Sequence, residues 1–532
     1  MMFRIQSFKQ AAFWSTAISA FSQGLALLFG MLMAAVFGAG EGTDILYYSL
    51  GIFALISQLV QSGNVSVLIP EAMRRRHQVG EEDAMAFINR FMLFFGISIA
   101  IVTLLLMWNP VKAFVLVSRF SAEALGRHSR LVFWLVVSFP LQVVAQLLLD
   151  VLVSYKFLAL PATLSCVNRV LNIIFVWCCE SRLGLVSVPL GMTVGFAFQV
   201  LLGLGLLRWM VKWRVNTWRT QIESRTIHNI LWVELGNGIT LLAGYLPLFL
   251  YSGFSVGILT AMNYARRMSN MPVELLTQQL SSVTAIKFNE LAALRQEDEL
   301  NAELGRIARL LLFILVPASV LMSLVGTDLT QILFGYGKFQ GAPVSFAAIL
   351  FSLLILNLPL TGINTIFARY IVARQAIRYA VGWNFFSSLL NMAVMFFAVT
   401  RWGPIGFPIG LFLHMLIYLM LLSASMLRRT PSLSLWPIWR AYVLTMAASG
   451  AAAVPAWVFR MRWGSGLPHW GNGMVSGALF FLAYGGVLFL LPPDRMSCQY
   501  ALQVVKRAHF IIRHSDKRTT IHPHASGGSA HE

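Results

Sequence analysis

Apolar residues in this chain run in long unbroken stretches, such as 91–107 and 310–324, separated by short polar segments. A helix needs about 20 apolar residues to cross the hydrocarbon core of a bilayer. Backbone groups there must pair internally, which leaves helices or closed barrels. A barrel strand alternates apolar and polar positions, and these stretches do not alternate. The pattern therefore predicts fourteen helical spans, near 10–37, 45–70, 85–107, 130–152, 157–178, 184–208, 228–251, 255–285, 307–326, 344–367, 376–399, 404–426, 441–459 and 473–491.

A repeat organises these spans. Leu171-Asn172, Arg182, Gly184, Pro189 and Gly191 reappear 219 residues later as Leu390-Asn391, Arg401, Gly403, Pro408 and Gly410. One copy joins spans five and six, the other spans eleven and twelve. An even number of spans separates them, so both copies run the same way through the membrane, as parallel repeats do. The expected fold class is an all-α polytopic membrane protein of about 14 transmembrane helices, with two parallel six-helix lobes plus two extra C-terminal helices. The expected units are an N-terminal lobe at 1–225, a C-terminal lobe at 226–430, helices 13 and 14 at 431–493, and a disordered basic cytoplasmic tail at 494–532.

Composition agrees with a membrane chain: 58% of residues are apolar and 11% charged. The net charge of +19 gathers in Arg74-Arg75-Arg76, in 208–225, at Arg428-Arg429 and after Arg495. Placing those segments inside satisfies the positive-inside rule and puts both termini in the cytoplasm. Attraction to anionic membrane lipids then accounts for the charge, and no nucleic-acid partner is needed. Cys166, Cys178 and Cys179 share one apolar span and Cys498 lies in the tail, so they form no disulfide framework. The first apolar segment reads as a retained helix rather than a cleaved signal. The tail histidines have the spacing of no defined metal site. No phosphate-binding Gly-rich loop, no His-Glu-x-x-His and no Gly-x-Ser-x-Gly occurs. The reading is a carrier without resident cofactor or metal rather than an enzyme, driven by a coupling ion (Na+ or H+) or by the membrane potential.

Charged residues inside spans are costly and mark functional candidates. Among them are Arg169 in span five, Glu234 in span seven, and Arg266, Arg267 and Glu274 in span eight. Glu274 lies two helical turns beyond Arg267, so mutual neutralisation is one reading. Adjacent arginines point about 100° apart, so at most one of Arg266 and Arg267 is expected to face a cavity centre. Arg169 either bonds to neighbouring helices or joins the site. His414 fits an interhelical hydrogen bond better than a proton relay. Arginine suits phosphate because its planar fork makes paired charge-assisted bonds, so a pyrophosphate-bearing lipid headgroup is the expected cargo.

Three motifs carry a family resemblance. Phe37-Gly-Ala-Gly-Glu-Gly-Thr-Asp44, Asn263-Tyr-Ala-Arg-Arg-Met-Ser-Asn-Met-Pro272 and Leu333-Phe-Gly-Tyr-Gly-Lys-Phe339 resemble those of the MurJ-type lipid II flippases, the MviN branch of the multidrug/oligosaccharidyl-lipid/polysaccharide exporter superfamily. The resemblance implies two rocking lobes around a central cavity, with the last two helices forming a lipid-tail groove. It also implies substrate-binding roles for Asp44, Thr260, Arg267 and Asn270, the last standing where the family has an acidic residue, and ion coupling at Glu234 and Asn391. Family arginines in spans one and two fall here on Gln23, Phe29 and Ser57. The functional expectation is a flippase in a bacterial inner membrane, moving a polyprenyl-pyrophosphate-linked saccharide by alternating access. Its cargo is either a peptidoglycan precursor or an exopolysaccharide or O-antigen unit, and cell-wall or polysaccharide assembly enzymes are the expected partners. Two other readings stay open at this point, a drug or organic-cation antiporter and a non-transporting partner in polysaccharide assembly. An antiporter calls for an acidic cavity.

Overall fold

The computed structural model describes residues 8–155, 157, 159–214 and 224–490, and every regular element among them is helical. In chain order the helices are α1 (Phe8–Phe37), α2 (Glu41–Gly63), α3 (Ile69–Gln78), α4 (Glu81–Trp108), α5 (Pro110–Val117), α6 (Ala122–Arg127), α7 (Ser129–Ser154), α8 (Ala159–Leu183), α9 (Ser187–Val211) and α10 (Ser224–Tyr251). They continue with α11 (Ile258–Ala293), α12 (Glu297–Leu324), α13 (Gly326–Phe334), α14 (Ala342–Ile355), α15 (Leu358–Ala373), α16 (Ile377–Trp402), α17 (Gly406–Arg429), α18 (Trp436–Arg462) and α19 (His469–Leu490).

Among the described residues ten stretches are long and apolar enough to cross a membrane, and four of them, Glu41–Gln78, Ala159–Val211, Ala342–Ala373 and Arg378–Arg429, each hold two α-helices. α10 supplies the shorter apolar stretch Asn237–Tyr251. The expected span at 344–367 is two helices, α14 and α15, because Pro359 has no amide hydrogen to continue the ladder. The expected span at 45–70 also divides. α2 passes through a single π turn, Asn64–Leu68, into the basic helix α3. The expected tail at 494–532 lies outside the described residues.

The helices gather in two groups. α7 packs on α2, α4 and α9, and α8 lies between α9 and α1. In the second group α16 packs on α10 and α17, α11 on α14 and α15, and α12 on α15. α2 crosses to α10 and α11, while α1 reaches α11 and α13. α18 lies along α12 and carries α19, which also touches α13. Ala448, Ala452 and Ala456 of α18 meet Phe480 and Tyr484 of α19, small residues at one-turn spacing allowing close approach.

The sequence repeat has a local cause. α8 and α9, like α16 and α17, are joined by one 3-10 turn, Gly184–Val186 and Gly403–Ile405. Gly184 and Gly403 have φ of +54° and +60°, a left-handed conformation that side-chain-bearing residues resist. The repeated glycines are therefore the points at which each hairpin reverses.

Candidate functional site

The three motifs, far apart in the chain, meet at one end of the bundle. Asp44, in the first turn of α2, is 4% exposed. Its carboxylate accepts from the Gly257 amide at 2.6 Å, the Thr260 amide at 2.8 Å and the Thr260 hydroxyl at 2.6 Å. A carboxylate at the N-terminus of α11 meets both the orphan amides and the positive end of the helix dipole. Tyr264 stacks on Phe334 at 4.9 Å and meets Phe339 and Tyr47 edge-on at 4.9 and 5.4 Å. The backbone of the 333–339 motif closes over α1, with the Lys338 amide donating to the Ala35 carbonyl at 2.9 Å. Gly337, at φ +63°, sits so close that an added Cβ would lie 2.1 Å from the Ala35 oxygen. Gly337→Ala is accordingly expected to cost about 2 kcal/mol or more, through both strain and clash. A lowered melting temperature of the purified protein would show it.

Asp44 and Thr260 hydrogen-bond to each other, joining α2 to α11, and they line none of the three cavities described next.

Away from this junction, the helices enclose connected cavities. One of about 710 Å³ is bordered by α1, α2, α8 and α11, with Gln23, Arg169, Asn172, Arg266, Arg267, Asn270 and Glu274 among its walls. It shares Arg169, Asn172, Gln58, Gln142 and Glu274 with a chamber of about 760 Å³ between α2, α7, α8 and α9. It shares Arg266 and Asn270 with a pocket of about 250 Å³ bordered by α10, α11, α15, α16 and α17.

Arg267 Nη1 donates to the Ala26 carbonyl at 2.7 Å, and Arg169 Nη1 to the Ser22 carbonyl at 3.1 Å. The two guanidiniums thus hold carbonyls one turn apart on α1. Arg266 faces the Phe407 ring at 5.6 Å, a cation–π contact. Both Arg266 and Arg267 line the cavity of about 710 Å³, and Arg266 also borders the pocket of about 250 Å³. Among the described residues, none of these three arginines forms an ion pair. Glu274 does not neutralise Arg267; its carboxylate takes the Gln23 amide instead. Three arginines therefore face the cavity against one glutamate.

Asn270 is exposed to both cavities. Asn391 lines the smaller pocket, where its Oδ1 and that of Asn357 are buried without a partner. The side chain of Glu234 lies outside the described residues. His414 Nε2 sits 3.2 Å from the Ser387 hydroxyl and 3.1 Å from its carbonyl, joining α16 and α17.

Sequence reasoning missed the amide wall. Gln58, Gln61, Gln142, Gln146, Asn168, Asn172 and Gln199 all line the 760 Å³ chamber. Asn168 donates to Gln199 at 2.7 Å, whereas Gln142 Oε1 and Asn172 Oδ1 are buried with no partner. A signal was present: Gln142, Gln146 and Asp150 recur every four residues in an apolar span, marking one polar stripe along α7. A stripe of that kind points to a cavity.

The sequence model of the lipid II flippase MurJ family matches residues 33–471. The chain belongs to the MurJ family. A curated protein of Borreliella burgdorferi, "Probable lipid II flippase MurJ", is 22% identical over 370 residues, which is 69% of this chain and 73% of that protein. Among solved structures, a lipid II flippase MurJ in an inward closed conformation superposes with a TM-score of 0.72 at 16% identity, over 89% of this chain and 98% of that one. An inward-facing multidrug resistance transporter of the MATE family and MOP superfamily follows at 0.61 and 14% identity, over 77% and 96%. Those two likenesses establish a shared multi-pass membrane fold. Positions 23 and 57 carry Gln and Ser, and the cations of this cavity come from α8 and α11.

Proposed function

We propose that this protein flips a polyprenyl-pyrophosphate-linked saccharide across a bacterial inner membrane by alternating access. The observation that carries this reading is a pair of connected cavities in which three arginines, none in an ion pair among the described residues, adjoin a wall of neutral amides. Arginine recognises pyrophosphate by paired charge-assisted hydrogen bonds. Amides recognise hydroxyl-rich sugars because each offers both donors and an acceptor. Membership of the MurJ family supports a lipid-linked cargo. A surplus of fixed positive charge opposes an organic cation in the same space.

In the orientation that the Lys and Arg distribution favours, the Asp44 seal faces the periplasm, and the cavity extends from it toward the cytoplasm. The cargo's headgroup enters from the inner face while its apolar tail stays in the bilayer along α18 and α19. Rocking of the two helix groups, 1–225 against 226–430, breaks the seal and releases the headgroup outside. The protein supplies binding and access, and no covalent step is required.

The test is flipping in proteoliposomes that contain the purified full-length chain. A fluorescent polyprenyl-pyrophosphate disaccharide on the inner leaflet should become accessible outside, and protein-free vesicles should show no such exposure. Equal exposure in both would refute the reading. The amide wall adds a specificity prediction. Gln142→Leu combined with Asn172→Leu is expected to weaken binding of the disaccharide lipid about tenfold or more, each lost hydrogen bond being worth about 1 kcal/mol. Binding of bare polyprenyl pyrophosphate should hardly change. Equal loss for both lipids would remove the saccharide role of the wall.

A further inference from the structure

Asp150 continues the α7 polar stripe but lines none of the three cavities. It lies on α7, one turn before that helix ends, and is 6% exposed. Its carboxylate accepts from Asn64 Nδ2 at 2.7 Å and from Gln146 Nε2 at 3.1 Å. Among the described residues no Lys, Arg or His lies within ion-pair distance of it. The charged groups of neighbouring elements are engaged elsewhere or lie apart. Arg75 of α3 pairs with Glu71 and Asp83, and Arg76 pairs with Glu81. Arg169 of α8 holds the Ser22 carbonyl. Arg90 of α4, Arg208 of α9, and Arg130 at the far end of α7 make no ion pair with Asp150. An ionised carboxylate buried against two neutral amides is strongly disfavoured, and such groups are neutralised by a proton or by a bound cation.

A second, independent feature lies beside it. Asn64 is fully buried, and its Oδ1 has no hydrogen-bond partner. The same amide turns its nitrogen to Asp150, and a half-turn of the amide would present the stranded oxygen to the carboxylate instead. Carboxylate and amide oxygens are the ligands that hard cations select. Asn64 also opens the π turn of α2, Asn64–Leu68, and π turns within α-helices concentrate at functional positions. Two residues earlier, Ser62 Oγ accepts from Asn237 of α10 at 2.6 Å. That contact ties α2 to the second helix group at the end opposite the Asp44 seal.

We infer that Asp150 and Asn64 form a monovalent-cation site, for a proton or an alkali ion, whose occupancy sets the conformation of the π turn. Gln146, which donates to Asp150, also lines the chamber, so the cation arrives through the cavity. When the site is filled the carboxylate is neutral and the turn keeps the position that joins Ser62 to Asn237. When it empties, the buried charge draws in water or donors, and the turn yields, loosening that lobe-to-lobe contact. The site is a point at which an ion gradient acts on the scaffold, joined to the amide wall through Gln146.

The test uses full-length purified protein without cargo, so it does not depend on the flippase reading. Melting temperature and the distance between spin labels at Gln61→Cys and Leu242→Cys are followed in two titrations. One varies pH in choline chloride; the other replaces choline with sodium at fixed ionic strength and alkaline pH. A response to sodium in the wild type, absent in Asp150→Asn, assigns an alkali ion. A response to pH alone, absent in Asp150→Asn, assigns a proton. No response in the wild type, or an equal response in both proteins, overturns the inference and leaves a helix-to-helix hydrogen bond. Asn64→Ala, which retains Asp150, is expected to shift the midpoint at least tenfold in cation concentration. An unshifted midpoint there overturns the site even where Asp150→Asn does not fold.

Discussion

Arg267→Ala is expected to lower flipping of a polyprenyl-pyrophosphate saccharide by about 100-fold. The reason is arithmetic: hydrogen bonds to a charged group contribute about 1.5–3 kcal/mol each, and each 1.4 kcal/mol is a factor of ten. Arg267 holds α1 through the Ala26 carbonyl with Nη1, which leaves the rest of its fork for the ligand. Arg267→Lys keeps the charge but loses the planar fork, so it should recover part of the activity and not all. Arg169→Ala should follow the same direction less steeply, because Arg266 and Arg267 still supply cations to the adjoining cavity. Melting curves separate loss of the α1 contact from loss of ligand binding. Full transport in both alanine variants would dispose of the cationic-cavity argument.

The second large effect is at the seal. Asp44→Ala removes the acceptor for two backbone amides and one buried hydroxyl. Each buried donor left unsatisfied costs about 1–3 kcal/mol, so the joined conformation should lose roughly 3 kcal/mol or more. Spin labels at Gly40 and Val256, on the two sides of the junction, should report a short distance in the wild type and a longer or broader one in the variant. Water-soluble thiol reagents should also reach a cysteine placed at Tyr264, which is fully buried behind the seal. An unchanged distance distribution would mean that the aromatic cluster of Tyr47, Tyr264, Phe334 and Phe339 holds this end alone.

How much was legible in advance follows from which signals are local. Span positions are local, because an apolar run of sufficient length reports itself. The turns around Arg182 and Arg401 were legible too, since Gly184 and Gly403 must adopt a left-handed backbone wherever the chain lies. Arg169, Arg266 and Arg267 were recognisable because charge inside a span has few bland explanations. Their partners were not. That Arg267 would reach an α1 carbonyl and Glu274 would take Gln23 depends on helices hundreds of residues apart. Spacing along α11 alone suggested the wrong pairing.

The amide wall and Asp150 illustrate the remaining gap. Each glutamine or asparagine reads singly as an ordinary interhelical residue. Only when α2, α7, α8 and α9 stand together do seven of them face one space. The sequence by itself determined that the chain is a polytopic helical membrane protein of duplicated plan, because bilayer thickness and backbone hydrogen bonding act on each segment separately. The tertiary structure alone decided that Asp44 joins α2 to the start of α11, and that three arginines share a cavity without an ion pair among the described residues. Both outcomes are set by which helix faces meet, and close-range hydrogen bonds between distant segments have no counterpart in local pattern.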